Sequence, residues 1–291
     1  MKLSSFYHGD RMGLSFELFP PKTEKGETML FPHVEHLAQF DPSFITCTYG
    51  AGGSTRNKTL AIVEQVKNRH QIPVASHLTC VGTTVEQLRL YLAEAERLGI
   101  DAIVALRGDP PQGQTTFEAV AGGLQYANEL VSLIREEFGN FGVAVAGYPE
   151  VHQEAANADL DLENLKRKVE AGADIVITQL FYQTEDFFRF RDRYQAAGSN
   201  VPLVPGILPV TSLTQIQRIT SLCGARLPQS FVNLLAQRDD PEWQFNVGVE
   251  FATEQVQGLV GRQVPGLHFY VLNKSQATSA VLKNINLGKC R

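Results

Sequence analysis

Cysteine is scarce in this chain, and what there is stands apart: Cys47, Cys80, Cys223 and Cys290 form no CxxC pair. A disulfide framework or a cysteine-bound zinc is therefore not indicated, and the thiols read as buried or incidental. The histidines are equally dispersed, with no HExxH, so no metal site is expected. No apolar run reaches the roughly 18 residues that a membrane helix needs. The opening MKLSSFYHGDRMG also lacks the apolar core of a secretory leader, and a cytoplasmic protein without a membrane partner is expected. Basic charge is not in excess either. Against 26 Lys and Arg stand 31 Asp and Glu, a net charge of −5, which gives no general attraction to phosphate backbones and argues against nucleic acid as a partner.

Nucleotide signatures are missing as well. There is no GKS or GKT for a P-loop, and no strand-like run is followed by GxGxxG, so a Rossmann cofactor site is not indicated. GAGGS at 50–54 lacks the third glycine of that fingerprint; it reads either as a phosphate cradle at a helix start or as a plain tight turn. No linker-like stretch rich in Gly, Ser or Pro interrupts residues 1–291, which are expected to form one domain. With a hydrophobic fraction of 43%, a chain of this length can bury a large core without covalent staples.

What the chain does have is a repeat of short β-branched and aromatic runs: LSFELF (14–19), SFITCTY (43–49), IPVASHLTCV (72–81), AIVALRG (102–108), GVAVAGY (142–148), DIVITQLFY (174–182), VPLVPGIL (201–208) and LHFYVLN (267–273). Each reads as a strand buried on both faces. Most intervals between them carry a helical pattern, such as Val85, Leu88, Leu92 and Ala95. Three junctions place Gly99, Gly172 and Gly198 after a helix and just before a strand, where a left-handed residue can end the helix. Eight strands alternating with helices predict a single (β/α)₈ TIM barrel. The long interval before the last strand, with RLPQSFVNLLAQ and PEWQFNVGVEFATEQVQGLV, predicts one extra helix ahead of the barrel helix.

In such a barrel the functional groups collect at the C-terminal ends of the strands. Polar residues recur at those ends: Glu17, Thr48, Tyr49, His77, Thr79, Arg107, Asp109, Tyr148 through His152, Gln179, Asn273 and Lys274. Any one of them could instead cap a helix or bond backbone; their recurrence favours a site. Glu17, set between Phe16 and Leu18, is expected to lose solvation and rise in pKa, as a proton donor near neutrality requires. Asp109 follows Arg107 and Gly108, so Arg107 could keep it ionised, or the two could form a structural ion pair only. In DLENLKRKV, Asp161, Asn164 and Lys168 share a polar stripe beside Leu162, Leu165 and Val169. The stripe reads as a solvated helix face or as a cradle for the ribityl and diphosphate of a dinucleotide.

Taken together, SFELFPPK, TYGAGGSTR, HLTC, ALRGDPP, AGYPEVHQEA, DLENLKRKVEAGAD, ITQLFY, PGILPV and HFYVLN, in this order across nearly the whole chain, resemble the methylenetetrahydrofolate reductase family. The resemblance implies a flavoprotein of one-carbon metabolism that reduces 5,10-methylenetetrahydrofolate to 5-methyltetrahydrofolate for methionine synthesis. It further implies bound FAD, a donor that is NADH or NADPH, and a homo-oligomer. Glu17 would be the acid that helps open the methylene bridge, and Asp109 would lie near both flavin and folate. FAD would be held by Tyr49, Ala51, His77, Arg107, Gly108, Tyr148, His152, Ala155, Asp161, Asn164, Arg167 and Lys168, together with Ala127, with Thr48 near the nicotinamide. Gln179 would contact folate.

Three positions depart from the family pattern. Leu213 stands where an aromatic commonly faces the substrate, Lys274 where Arg is frequent, and Leu180 where an aromatic follows ITQ. Lys274 could still pair with a folate carboxylate, without the planar fork of Arg. The chain ends about 20 residues after the last strand-like run, so only the catalytic barrel, without the regulatory domain of some family members, is expected. Two other readings of the same residues are a flavin-free lyase using Glu17 and Asp109, and a barrel turned binding partner.

Overall fold

The computed structural model describes residues 1–9, 11–49, 56–110, 113 and 116–286. Its strands are β1 (Gly13–Leu18), β2 (Phe44–Cys47), β3 (Val74–Thr79), β4 (Ala102–Leu106), β5 (Gly142–Gly147), β6 (Ile175–Thr178), β7 (Leu203–Val204), β8 (Gly206–Ile207) and β9 (Gly266–Tyr270). All pair in parallel, in the order β7-β6-β5-β4-β3-β2-β1-β9-β8. The strands at the two ends of that order, β7 and β8, are successive pieces of one run, VPLVPGIL, parted at Pro205. Proline has no N–H to give a ladder. Val204 therefore pairs with Ile177 of β6 and Gly206 with His268 of β9, while the Pro205 carbonyl still accepts from the His268 N–H at 3.0 Å. The nine pieces thus occupy the expected eight strand positions, and the sheet closes into a nearly complete barrel.

The helices are α1 (Glu24–Ala38), α2 (Arg56–His70), α3 (Val85–Arg97), α4 (Ala127–Glu137), α5 (Ala158–Glu170), α6 (Thr184–Ala196), α7 (Leu213–Cys223), α8 (Gln229–Leu235), α9 (Pro241–Gly261) and α10 (Gln276–Asn284). Gly99, Gly172 and Gly198 take φ of +69°, +116° and +82°, so each ends its helix in the conformation that its position in the sequence predicts. In the interval before the last strand, RLPQSFVNLLAQ and PEWQFNVGVEFATEQVQGLV form α8 and α9 as expected, and a further helix, α7, precedes them. The signals for α7 are local, an N-cap Ser212 accepting from the Gln215 N–H and a left-handed Gly224 at its end.

Every strand is buried almost throughout, because helices cover the outside and side chains fill the inside. A 3₁₀ turn over Leu3–Tyr7 lies across the N-terminal strand ends. A Cβ on Gly13 or Gly266, the first residues of β1 and β9, would strike the Tyr7 ring at 2.4 and 2.5 Å, and one on Gly142 of β5 would strike Leu3 at 2.8 Å. Leu3 and Tyr7 share an interior cluster with Phe44, Val104, Ile175 and Val204. The N-terminal end of the barrel is therefore filled, and access to the interior falls to the C-terminal end. No described helix is long and apolar enough to cross a membrane.

Candidate active site

At the C-terminal end a cavity of about 500 Å³ opens over the barrel axis, with Glu17 and His77 among its walls. Parallel register brings Glu17 opposite Tyr270 of β9 and Thr46 of β2, and Ser15 opposite His268. Strand alternation then sends Ser15, Glu17, His268 and Tyr270 to the same interior. Glu17 Oε2 lies 3.2 Å from His77 Nε2 and 3.5 Å from His268 Nε2. The other nitrogen of His268, Nδ1, shares a 2.8 Å hydrogen bond with the Ser15 hydroxyl.

These neighbours reverse the expectation for the Glu17 pKa. Burial alone would raise it, as the sequence suggests, but the two imidazoles outweigh burial by Coulombic attraction and hydrogen bonding and bring it down to about 2. Glu17 is thus held as a carboxylate, with the two imidazoles against one of its oxygens. Both Nε2 atoms are buried beside the Glu17 carboxylate; His77 lines the cavity, whereas His268 is fully buried behind it.

Thr48, Tyr49, Arg107, Gly108, Asp109, Tyr148, His152 and Gln179 line the same cavity. Gly108 has φ +87°, and a Cβ there would lie 2.6 Å from Val81 Cγ1; only glycine keeps this backbone close to the cavity. The Oε1 of Gln179 accepts from the Leu180 N–H at 2.9 Å, which fixes the amide with its NH₂ as the remaining donor. Arg107 does not pair with Asp109. Its guanidinium forms a fork with Glu154, at 2.6 and 2.5 Å, and lies 4.9 Å from the centre of the Phe117 ring.

Beside this cavity, and sharing Leu106, Arg107, Ala146, Tyr148 and His152 with it, runs a second of about 610 Å³. Ala127, Ala155, Asp161, Asn164, Arg167 and Lys168 line it, so the polar stripe of α5 faces a trough and not only solvent. Lys168 Nζ donates to the Ala146 carbonyl at 2.5 Å. Burial lowers its pKa to about 8, against an opposing pull from Asp161. Burial also raises the pKa of Asp161, which caps the preceding loop by accepting from the His152 N–H at 3.2 Å.

Lys274 lies apart. It lines a third cavity of about 440 Å³ with His33 and Gln276, and this cavity meets the axial one along Leu208, Tyr270 and Leu272. Leu213 is on none of these walls; it packs, half-buried, against the cluster containing Val210 and Ile216, and its N–H donates to Gln244 Oε1 at 2.9 Å. The α7 residues that reach the axial cavity are Ile219, Leu222 and Cys223. Ala51 lies outside the described residues. Sequence reasoning missed His268, Glu154 and Phe117. His268 had a signal, the i, i+2 spacing with Tyr270 on an inward strand face; Glu154 and Phe117 sit in loops with none.

A parallel α/β barrel, filled at its N-terminal end and lined at the other by a buried acid between histidines and by a basic trough, is the architecture of a barrel enzyme. The methylenetetrahydrofolate reductase family model matches residues 2–286. The 5,10-methylenetetrahydrofolate reductase of Pectobacterium carotovorum subsp. carotovorum is 40% identical over 95% of the chain and 91% of its own length. Methylenetetrahydrofolate reductase (NADH) 1 of Arabidopsis thaliana is 37% identical over 98% of the chain, which spans only 50% of that relative. Among solved structures, an uncharacterized Clostridium thermocellum protein that binds two copies of 5-methyl-5,6,7,8-tetrahydrofolic acid superimposes with a TM-score of 0.65 over 98% of each chain; at 15% identity it shows the fold alone. The chain belongs to the methylenetetrahydrofolate reductase family of oxidoreductases.

Proposed function

We propose that this chain reduces 5,10-methylenetetrahydrofolate to 5-methyltetrahydrofolate, with FAD bound and NADH or NADPH as electron donor. One observation carries the reading: two cavities of different chemistry meet at Arg107, Tyr148 and His152. The axial cavity offers the Gly108 backbone, the His77 ring and the Gln179 amide to flat, polar rings. The trough offers Lys168 and Arg167 to a diphosphate and Asp161 and Asn164 to hydroxyls. A ligand with a ring system at one end and a diphosphate further along fits that division, and FAD has this form.

FAD, held by these residues, would supply the hydride chemistry between nicotinamide and folate. The net change consumes NAD(P)H and one proton, breaks a C–N bond of the folate five-membered ring and leaves a methyl group. The residues of the chain orient and protonate. Glu17, set in place by its contacts with His77 and His268, would relay a proton to the folate nitrogen released on ring opening, and Gln179 would position the folate ring through its donor group. Asp109, exposed at the cavity edge, places negative charge where a cationic iminium would develop. Arg107 must share or release Glu154 to meet a phosphate.

The test is the visible spectrum of the protein reconstituted with FAD, followed by an assay of NAD(P)H oxidation with methylenetetrahydrofolate. A protein-bound flavin band and folate-dependent turnover are expected. Folate chemistry without retained flavin would return the site to a flavin-free lyase.

A further inference from the structure

The β5–α5 loop, which carries Tyr148 and His152 to the junction of the two cavities, contains an unusual residue. Val151 has φ +73°, a region that β-branched side chains avoid and that persists only where surroundings impose it. The turn around it is small. The Val151 N–H donates to the Tyr148 carbonyl at 3.2 Å, and the Tyr148 and His152 rings meet edge to face with centroids 4.6 Å apart. On the C-terminal side the turn is anchored by the His152 N–H on Asp161.

On the N-terminal side the anchor comes from far away in sequence. Glu150 accepts from Nε and the backbone N–H of Arg226, at 2.8 and 3.1 Å. Nη2 of Arg226 reaches both oxygens of Asp186, at 3.1 and 3.0 Å. Asp186 is 2% exposed and stands in the first turn of α6, where Arg189 also pairs with it. Arg226 itself lies in the connection between α7 and α8. A second link runs alongside, from Gln153 Nε2 to the Leu222 carbonyl at the end of α7. Two half-buried or buried carboxylates on different elements are thus joined through one guanidinium, a geometry that a fork can satisfy and a point charge cannot.

We propose that Arg226 is a positioning residue: by clasping Glu150 to Asp186 it holds the strained Val151 turn, and so sets Tyr148 and His152 at the cavity junction. Its consequence for cofactor affinity rests on the flavin reading above. The arrangement has a second outcome, because the same clasp fixes the end of α7, whose Ile219 and Leu222 form the facing wall. The loop side and the α7 side of the axial cavity are thus linked by Arg226 together with the Gln153–Leu222 contact.

The experiment combines FAD titration by fluorescence quenching with hydrogen exchange of the FAD-free full chain, for wild type, Arg226→Ala, Val151→Gly and the double variant. Arg226→Ala is expected to weaken FAD by about tenfold and to speed exchange over residues 148–154 while β1 to β4 stay protected. Glycine takes φ +73° without strain. In the Val151→Gly background the Arg226→Ala change should therefore cost less than about threefold in FAD affinity. Equal losses in both backgrounds, or a folded Arg226→Ala protein with unchanged affinity and exchange, would overturn the proposal. If Arg226→Ala does not fold, Glu150→Gln keeps the shape of the anchor and weakens its charge; a smaller loss in the same direction is expected, and no loss overturns the proposal. A wild-type chain that binds no flavin defeats the cofactor reading instead, and exchange over 148–154 then decides the clasp alone.

Discussion

Glu17 Oε2 stands 3.2 Å from His77 Nε2 although β2 runs between their strands. The barrel curves enough for inward side chains of β1 and β3 to meet in front of β2, and His268, from β9 on the other flank of β1, completes the surroundings of the carboxylate.

Glu17→Gln removes the ionisable oxygen and keeps the shape. Reduction of bound flavin by NAD(P)H needs no proton from this residue and should be largely unchanged. The folate half-reaction should fall by about a hundredfold or more. Stopped-flow absorbance follows the two halves separately, as bleaching with nucleotide and recovery with methylenetetrahydrofolate. Equal slowing of both would mean that Glu17 shapes the pocket and carries no proton.

If Lys168 meets the diphosphate of FAD as proposed, flavin affinity should depend on pH. Its pKa in the folded chain is about 8, below the ordinary 10.5, because burial disfavours the ammonium. Between those values the unfolded chain binds more protons at this position, so the contribution of Lys168 to folding becomes more favourable as pH rises from 8 to 10.5. A diphosphate acts oppositely, since it binds the ammonium form. FAD affinity should therefore fall as pH rises above 8, by up to about tenfold per unit, and Lys168→Met should flatten that slope. Titrations of FAD between pH 7 and 10 provide the check; parallel slopes in the two proteins would remove Lys168 from the diphosphate site.

Gly108→Ala places a methyl group 2.6 Å from Val81 Cγ1 on a backbone with φ +87°. Both the clash and the conformation are unfavourable, and a loss of about 2 kcal/mol in unfolding free energy is expected. FAD affinity should fall as well, because the displaced strand end borders both cavities through Arg107. Urea unfolding with flavin absent, followed by titration, separates the two effects. Unchanged stability would mean that the Val81 loop yields freely.

The strands and the glycine helix stops were legible in the sequence because they rest on local causes: side-chain alternation, burial on both faces, and the one residue that takes positive φ without a Cβ clash. The placement of Glu17, His77, Arg107 and Tyr148 at one end was legible too, since each follows a strand whose direction the repeat prescribes. The helix α7 also rests on local signals, the Ser212 cap and the left-handed Gly224.

What the tertiary structure alone decided is which groups meet. From its sequence neighbours Glu17 is expected to rise in pKa. Its pKa is lowered instead, because parallel pairing of β1 with β9 and the curvature toward β3 bring two imidazoles from residues 60 and 251 positions away. Arg107, two residues from Asp109 in sequence, turns instead to Glu154, 47 residues on. Protonation and ion pairing depend on distance in space and on the water excluded between charges, and neither follows from sequence spacing until the barrel closes.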